Sequence, residues 1–292
     1  MAKNPIYPIY IISKGRSDSQ LTARSLANMG VPYRVVVEPQ EYEEYLKNPY
    51  VTKENCIVTP FSNLGQGSIP VRNFVWDHSI QEGHERHWIM DDNIRWFFRY
   101  DGVAKIRVTN GTILRLAEEF SDRFENVKQF GLNYTFFCPV SEKKPPYLLN
   151  TRIYSCICNS NDIEHRWRGK YNEDTDLSIR ILKDGWCTIL YNAFVCGKEQ
   201  SMVMKGGNTE EVYQKGQEGF DNRYRFAKSL YDQHPDIVHI TKKWGRYHHH
   251  VDYTIFNQKL KFKLGVKEQI PKQVNEHGMK LKKISKKDEN KT

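Results

Sequence analysis

Through its first hundred residues the chain alternates short apolar runs with helix-like segments, and each apolar run stops at a polar residue. Residues 7–12 are rich in Ile and Tyr and end at Ser13-Lys14-Gly15-Arg16. Ser17 or Asp18 can then cap a helix carrying Leu21, Leu26 and Met29, which Gly30 stops. Residues 34–37 read as a second strand ending at Glu38-Pro39, and 56–59 as a third ending at Pro60. A helical segment over 69–81 precedes a fourth strand, His87-Trp88-Ile89-Met90, which runs straight into Asp91-Asp92-Asn93. This alternation predicts an α/β fold, a parallel-type sheet with helices on both faces. Ligands of such sheets bind at the carboxyl ends of the strands, which directs attention to residues 13–16, Glu38, 59–62 and 91–93.

The second half is less regular. Residues 110–124 and 174–183 have helical spacing, the latter stopped by Gly185. Residues 129–140, 152–158 and 186–196 read as strands. A helix interrupted by Gly216 and Gly219 is expected over 209–232, and a further helix from near Ile94. From Gln258 the chain loses aromatics and gains lysine. Residues 1–257 are therefore expected to form one catalytic domain and 258–292 a Lys-rich tail, disordered or in contact with DNA.

Charge sharpens that division. The formal net charge is +9, and residues 259–292 hold 11 Lys against four acids, leaving the body nearly neutral. A basic tail suits an anionic polymer bound through salt-sensitive phosphate contacts, or serves only as a solubilising end. The six cysteines include no CxxC pair, so reduced, buried thiols are expected rather than a zinc ribbon. No run approaches the roughly 18 apolar residues of a membrane span, and residues 7–12 are too short and too β-branched for a signal peptide. A cytoplasmic location without membrane attachment is expected.

Several clusters carry chemistry. Adjacent carboxylates delivered by an apolar strand, Asp91 and Asp92, suit Mg²⁺ or Mn²⁺ shared with substrate phosphates, though two acids capping a helix would look the same. Glu173, Asp174 and Asp176 put three carboxylates ahead of a helix, more than a cap requires, and one of them can act as general base on an acceptor hydroxyl. Arg72 can fork onto a phosphate or simply close a salt bridge. Gly206-Gly207-Asn208 permits close backbone approach to a ligand, or a turn. In His248-His249-His250, strand alternation lets His248 and His250, or His249 alone, face one site.

Taken in order, these parts resemble a GT-A-fold nucleotide-sugar glycosyltransferase. Arg72-Asn73-Phe74, Asp77-His78-Ser79 and residues 87–94 resemble most the TET-associated glycosyltransferases, a phage family that modifies hydroxymethylated pyrimidines in DNA. The resemblance spans roughly residues 7–257. It implies a GT-A fold, a Rossmann-like mixed sheet flanked by helices, in a single catalytic domain. It implies Ser13, Arg16 and Glu38 at the base and ribose of a UDP-sugar, with Arg72, Asp91 and Asp92 on the donor. It implies Mn²⁺ or Mg²⁺ held by Asp91, Asp92, Asn93 and a late histidine, taken as His249 with His248 and His250 as alternatives. Asn93 departs from the usual Asp-x-Asp ending. Glu173-Asp174 matches the family's Glu-Asp motif, with Asp174 as base and inversion the expected outcome. The implied acceptor is DNA containing 5-hydroxymethylcytosine. Trp167, between Arg166 and Arg168, is a candidate stacking platform for that base, although ordinary packing is the stronger reading. The rival functions are a GT-A transferase acting on a glycan, lipid or protein, and a catalytically silent nucleic-acid-binding module.

Overall fold

Alternation along the first strands divides their side chains between two cores. In β1 (Ile9–Ile12), Ile9 and Ile11 enter one hydrophobic cluster, and Tyr10 and Ile12 enter another. β2 (Arg34–Val37), β3 (Cys56–Val58) and β4 (Arg86–Asp91) follow the same rule: Val35, Val37, Trp88 and Met90 lie on one side, Val36, Ile57 and Ile89 on the other. Strands buried on both faces require a sheet covered twice, and a computed structural model shows that sheet. It describes residues 3–169, 171–199 and 222–269.

The remaining strands of the sheet are β5 (Ile94–Tyr100), β6 (Lys105–Arg107), β7 (Val127–Tyr134), β8 (Tyr147–Leu149), β9 (Cys156–Ser160) and β10 (Cys187–Lys198). The order is β3-β2-β1-β4-β9-β7-β10-β5-β6, with β8 also on β10. The first four strands are mutually parallel, as are β7 and β10, whereas β9 runs antiparallel to both of its neighbours. The sheet is therefore mixed rather than wholly parallel. α1 (Leu21–Asn28) covers one face with Ala23 and Leu26. A short α2 (Tyr42–Tyr45) follows β2, and α3 (Ile69–Gln81) covers the opposite face with Val75 and Trp76. α4 (Thr112–Ser121) joins α1, and α5 (Glu173–Lys183) joins α3. This is the Rossmann-like arrangement of a GT-A fold.

Beyond the sheet, α6 (Asn222–Gln233) packs on the hairpin of β11 (Val238–Lys243) and β12 (Arg246–Val251). Leu230, Val238 and Val251 meet Ile179 of α5 there. A last turn of helix, α7, covers Val266–Gln269. Residues 259–263, on the tail side of the expected boundary, run along the α4–β7 connection. Asn126 bonds to the backbone of Lys259 and Lys261, and Phe262 packs on Phe124. All six cysteines are free thiols, and no described helix is long and apolar enough to cross a membrane.

Three expected elements differ. The helix expected from Ile94 is β5, paired antiparallel with β10. Its buried residues Ile94, Phe97 and Tyr100 recur every third position and imitate a helical face, while its aromatic content favours a strand. Asp91-Asp92-Asn93 thus joins two strands and caps no helix. The strand expected from Arg152 begins only at Cys156, because Ser155 takes a left-handed conformation, φ 58°, that interrupts extended chain. The strand expected to reach Val140 ends at Tyr134, where residues 135–137 tighten into a 3₁₀ turn. Gly206-Gly207-Asn208 and most of the helix expected over 209–232 lie outside the described residues.

Candidate active site

Strand direction gathers the polar residues on one edge. The carboxyl ends of β1, β2, β4, β7 and β10 and the start of β9 meet there, and the first turn of α5 joins them. Asp91 closes β4, Lys198 closes β10, Tyr134 closes β7 and Ser155 precedes β9.

Asp91 is the hub. Its Oδ2 accepts from Lys198 Nζ at 2.6 Å and Ser155 Oγ at 2.7 Å, and its Oδ1 accepts from Arg72 Nη2 at 3.2 Å. Burial alone would raise this carboxyl. The Lys198 ammonium and the Arg72 guanidinium outweigh it and hold the group well below the usual carboxylate range. Arg72 lies over the Trp167 ring at 4.7 Å and reaches Glu173 Oε1 at 3.6 Å, so it ties the end of β4 to the start of α5. Ser68 also donates to Glu173. Burial pushes the Glu173 carboxyl up; Arg72 opposes this and the neighbouring Asp174 charge adds to it.

Asp92 faces inward. It is 3% exposed, pairs with Arg16 Nη1 at 2.6 Å and accepts from Ser13 Oγ at 2.6 Å. Tyr45 Oη bonds both Ser13 Oγ and the Arg16 amide. Ser13, Arg16 and Asp92 together pin the β1–α1 loop to β4. Asn93 is also buried, its amide directed at the Glu199 carbonyl. Glu38, after β2, accepts from Lys14 Nζ, Gln40 Nε2 and the Asn63 amide.

The three acids of α5 separate. Asp176 points into the body, held by Arg168, Arg180 and His234. Glu173 turns toward Arg72. Asp174 accepts at Oδ1 from its neighbour Thr175, and among the described residues no cation pairs with it. It lines an open cavity of about 190 Å³ together with Tyr134, Phe137, Arg152, Tyr154, Asn172 and Thr175.

His249, on β12, lies 3.4 Å from Arg152, which lines this cavity. Burial and the Arg152 charge push its imidazole down to about 4, so it is neutral at pH 7. The structure therefore does not bring Asp91, Asp92, Asn93 and His249 together. Among the described residues no three His, Cys, Asp or Glu side chains form a metal-binding group. Both oxygens of Asp91 face cations and Asp92 is closed off, a donor set that does not fit a resident divalent ion. Trp167 is 2% exposed and packs edge-on against Trp76. Arg168 is spent on Asp176, and Arg166 lies over Trp76. Trp167 is therefore a packing residue, with no exposed ring face for a base to stack on.

A family model described as TET-Associated Glycosyltransferase matches residues 7–207. The chain belongs to this family. It is a glycosyltransferase, and the matched span holds every residue of the edge described above, from Ser13 to Lys198, while His249 and the Lys-rich tail fall beyond it. Among solved structures, the chain is similar to one described as a nucleotide-diphospho-sugar transferase from Desulfovibrio desulfuricans G20. The identity is 10%, covering 65% of this chain and 80% of that one, with a TM-score of 0.37. No curated protein matches the chain.

Four residues of this glycosyltransferase's edge escaped sequence reasoning: Lys198, Ser155, Tyr134 and Arg152. Lys198 ends a long apolar run, a position that could have drawn attention. The others carry no local signal, since only strand pairing brings them to Asp91 and Asp174.

Proposed function

We propose that this glycosyltransferase moves a sugar from a UDP-sugar to the hydroxymethyl group of 5-hydroxymethylcytosine in DNA, with Asp174 as the general base. One observation carries the assignment of the base. Of the five acids in the two motifs at 91–92 and 173–176, Asp91, Asp92, Glu173 and Asp176 each face a cation, whereas Asp174 has none among the described residues and lines a cavity.

In this reading the donor lies over the carboxyl ends of β1, β2 and β4, where ligands of α/β sheets bind. Glu38 accepts from the ribose hydroxyls in this reading, and the loop fixed by Ser13 and Arg16 flanks the base. Asp174 takes the proton of the acceptor hydroxyl as its oxygen attacks the anomeric carbon. The bond from that carbon to the diphosphate breaks, its electron pair leaving with UDP. Arg72 and Lys198 supply positive charge beside the departing diphosphate. With base and leaving group on opposite sides of the sugar, the anomeric centre inverts.

Nucleoside mass spectrometry tests this. Duplexes containing 5-hydroxymethylcytosine or cytosine are incubated with a panel of UDP-sugars, with Mn²⁺ or with EDTA. A hexose or pentose mass gain on the hydroxymethylated duplex alone is expected. UDP release with no gain on DNA would overturn the acceptor and favour a glycan, lipid or protein. DNA binding with no UDP-sugar turnover would favour the silent module.

A further inference from the structure

Resting on the transferase reading above, we propose that the cavity beside Asp174 is a single-ring acceptor subsite. It receives one pyrimidine base turned out of its strand and stacked against the wall of Tyr134, Phe137 and Tyr154.

The cavity measures about 190 Å³, and roughly 150 Å³ is enough for a benzene ring in a protein interior. One six-membered ring with a small substituent fits that space. Three of its seven lining residues are aromatic. The Tyr134 and Tyr154 rings lie 4.5 Å apart, and Phe137 is 5.9 Å from Tyr134 at an interplanar angle of 21°. Phe136 continues the wall, stacked on Tyr134 at 5.3 Å. Phe136 and Phe137 are 64% and 39% exposed, so this part of the wall reaches solvent.

The wall is fixed from behind. Tyr154 Oη donates to Asn133 Oδ1, and Tyr134 Oη bonds Ser155 Oγ, which itself donates to Asp91. The platform for the acceptor and the hub beside the donor thus share one hydrogen-bond chain. The cavity is also lined by Arg152, whose guanidinium lies over Tyr154 at 5.2 Å, and by Asn172 and Asp174. Arg152 and Asn172 offer polar atoms to the edge of a pyrimidine, and Asp174 offers a carboxylate to its hydroxymethyl group.

Stacked rings recognise a base by its face. A paired base hides its faces and exposes only its groove edges, so a ring-sized, ring-lined cavity selects a base that has left the stack, as enzymes acting on bases commonly require.

The test uses the full chain, a duplex with one 5-hydroxymethylcytosine and 2-aminopurine as its 3′ neighbour, and a single strand of the same sequence. Binding of the duplex should raise 2-aminopurine fluorescence as the stack opens, and the single strand should be glycosylated at least as fast as the duplex. Phe137→Ala should lower kcat/KM for the duplex about ten-fold, the scale of one base–aromatic stack. Phe137→Tyr should restore it, and UDP affinity by calorimetry should stay unchanged in both variants. Unaltered fluorescence, an inert single strand and a fully active Phe137→Ala protein, in a wild type that glycosylates the duplex, would overturn the subsite. A wild type that neither binds UDP nor modifies DNA would instead sink the transferase reading, and the subsite with it.

Discussion

Asp174 and Asp176 stand two positions apart on α5 and have opposite surroundings. Asp176 is fully buried, with Arg168 at 3.0 Å, Arg180 at 2.8 Å and His234 at 2.8 Å. Burial would raise its carboxyl, but the His234 hydrogen bond and the two guanidinium groups hold it down to about 2. Removing one partner of a buried ion pair leaves the other charges uncompensated and costs about 3 to 5 kcal/mol. Asp176→Asn should therefore lower stability by that amount, measured by urea unfolding, and an unchanged midpoint would contradict the structural role. The depressed value also makes a pH statement. The stabilisation is complete above the ordinary carboxylate value of 3.8 and fades as pH falls toward 2. About 2 kcal/mol is at stake over that window.

At the scale of elements, the local code was readable wherever local pattern and tertiary context agreed. β1, β2 and β4 stand out as apolar runs because both of their faces are buried, and α5 shows because its acids precede a helical pattern that ends at Gly185. Asp91, Arg72, Glu173 and Asp174 converge as their order along the chain suggested. The exceptions have physical causes. β5 has three-residue spacing that imitates a helix, and only its pairing with β10 decides the matter. Ser155 and Asn172 both adopt φ near 57°, which no strand or helix pattern announces. β7 and β9 meet at Gly131, where a Cβ would fall 2.2 Å from the Cys156 carbonyl oxygen and 2.4 Å from Ile153 Cγ2. A backbone oxygen cannot swing aside as a side chain can, so Gly131→Ala forces the two strands apart at a point between Tyr134 and Ser155. A loss of at least about 1 to 3 kcal/mol is expected, the usual range for overpacking. A thermal melt equal to wild type would show that the strands are not so close.

For the whole molecule, acid should erode stability over two successive pH windows. His87 is fully buried against Asn161, and burial pushes its imidazole down to about 4; His249 is depressed to a similar value. Between the ordinary imidazole value of 6.5 and about 4 the unfolded chain binds protons at these positions and the folded chain does not, so stability falls as pH falls. His87 alone accounts for about 3 kcal/mol across that window, and His87→Gln should flatten the slope of stability against pH. The Asp176 contribution then fades between pH 3.8 and about 2. The Lys-rich segment beyond residue 263 makes a separate prediction. Its removal should weaken DNA binding and reduce the salt slope by about 0.9 for each phosphate it had neutralised, with UDP-sugar hydrolysis unchanged. A salt titration with the same slope as the full chain would exclude the tail from the DNA interface. In the proposed reaction the base is Asp174, which no cation pairs with among the described residues. Single-turnover transfer to 5-hydroxymethylcytosine DNA, measured for Asp174→Asn beside a thermal melt of the same protein, tests this assignment most directly. A rate loss of about 10²- to 10⁴-fold is expected, the range for a missing general base, with a melting temperature close to wild type. A wild-type rate, or a loss that merely follows unfolding, would contradict it.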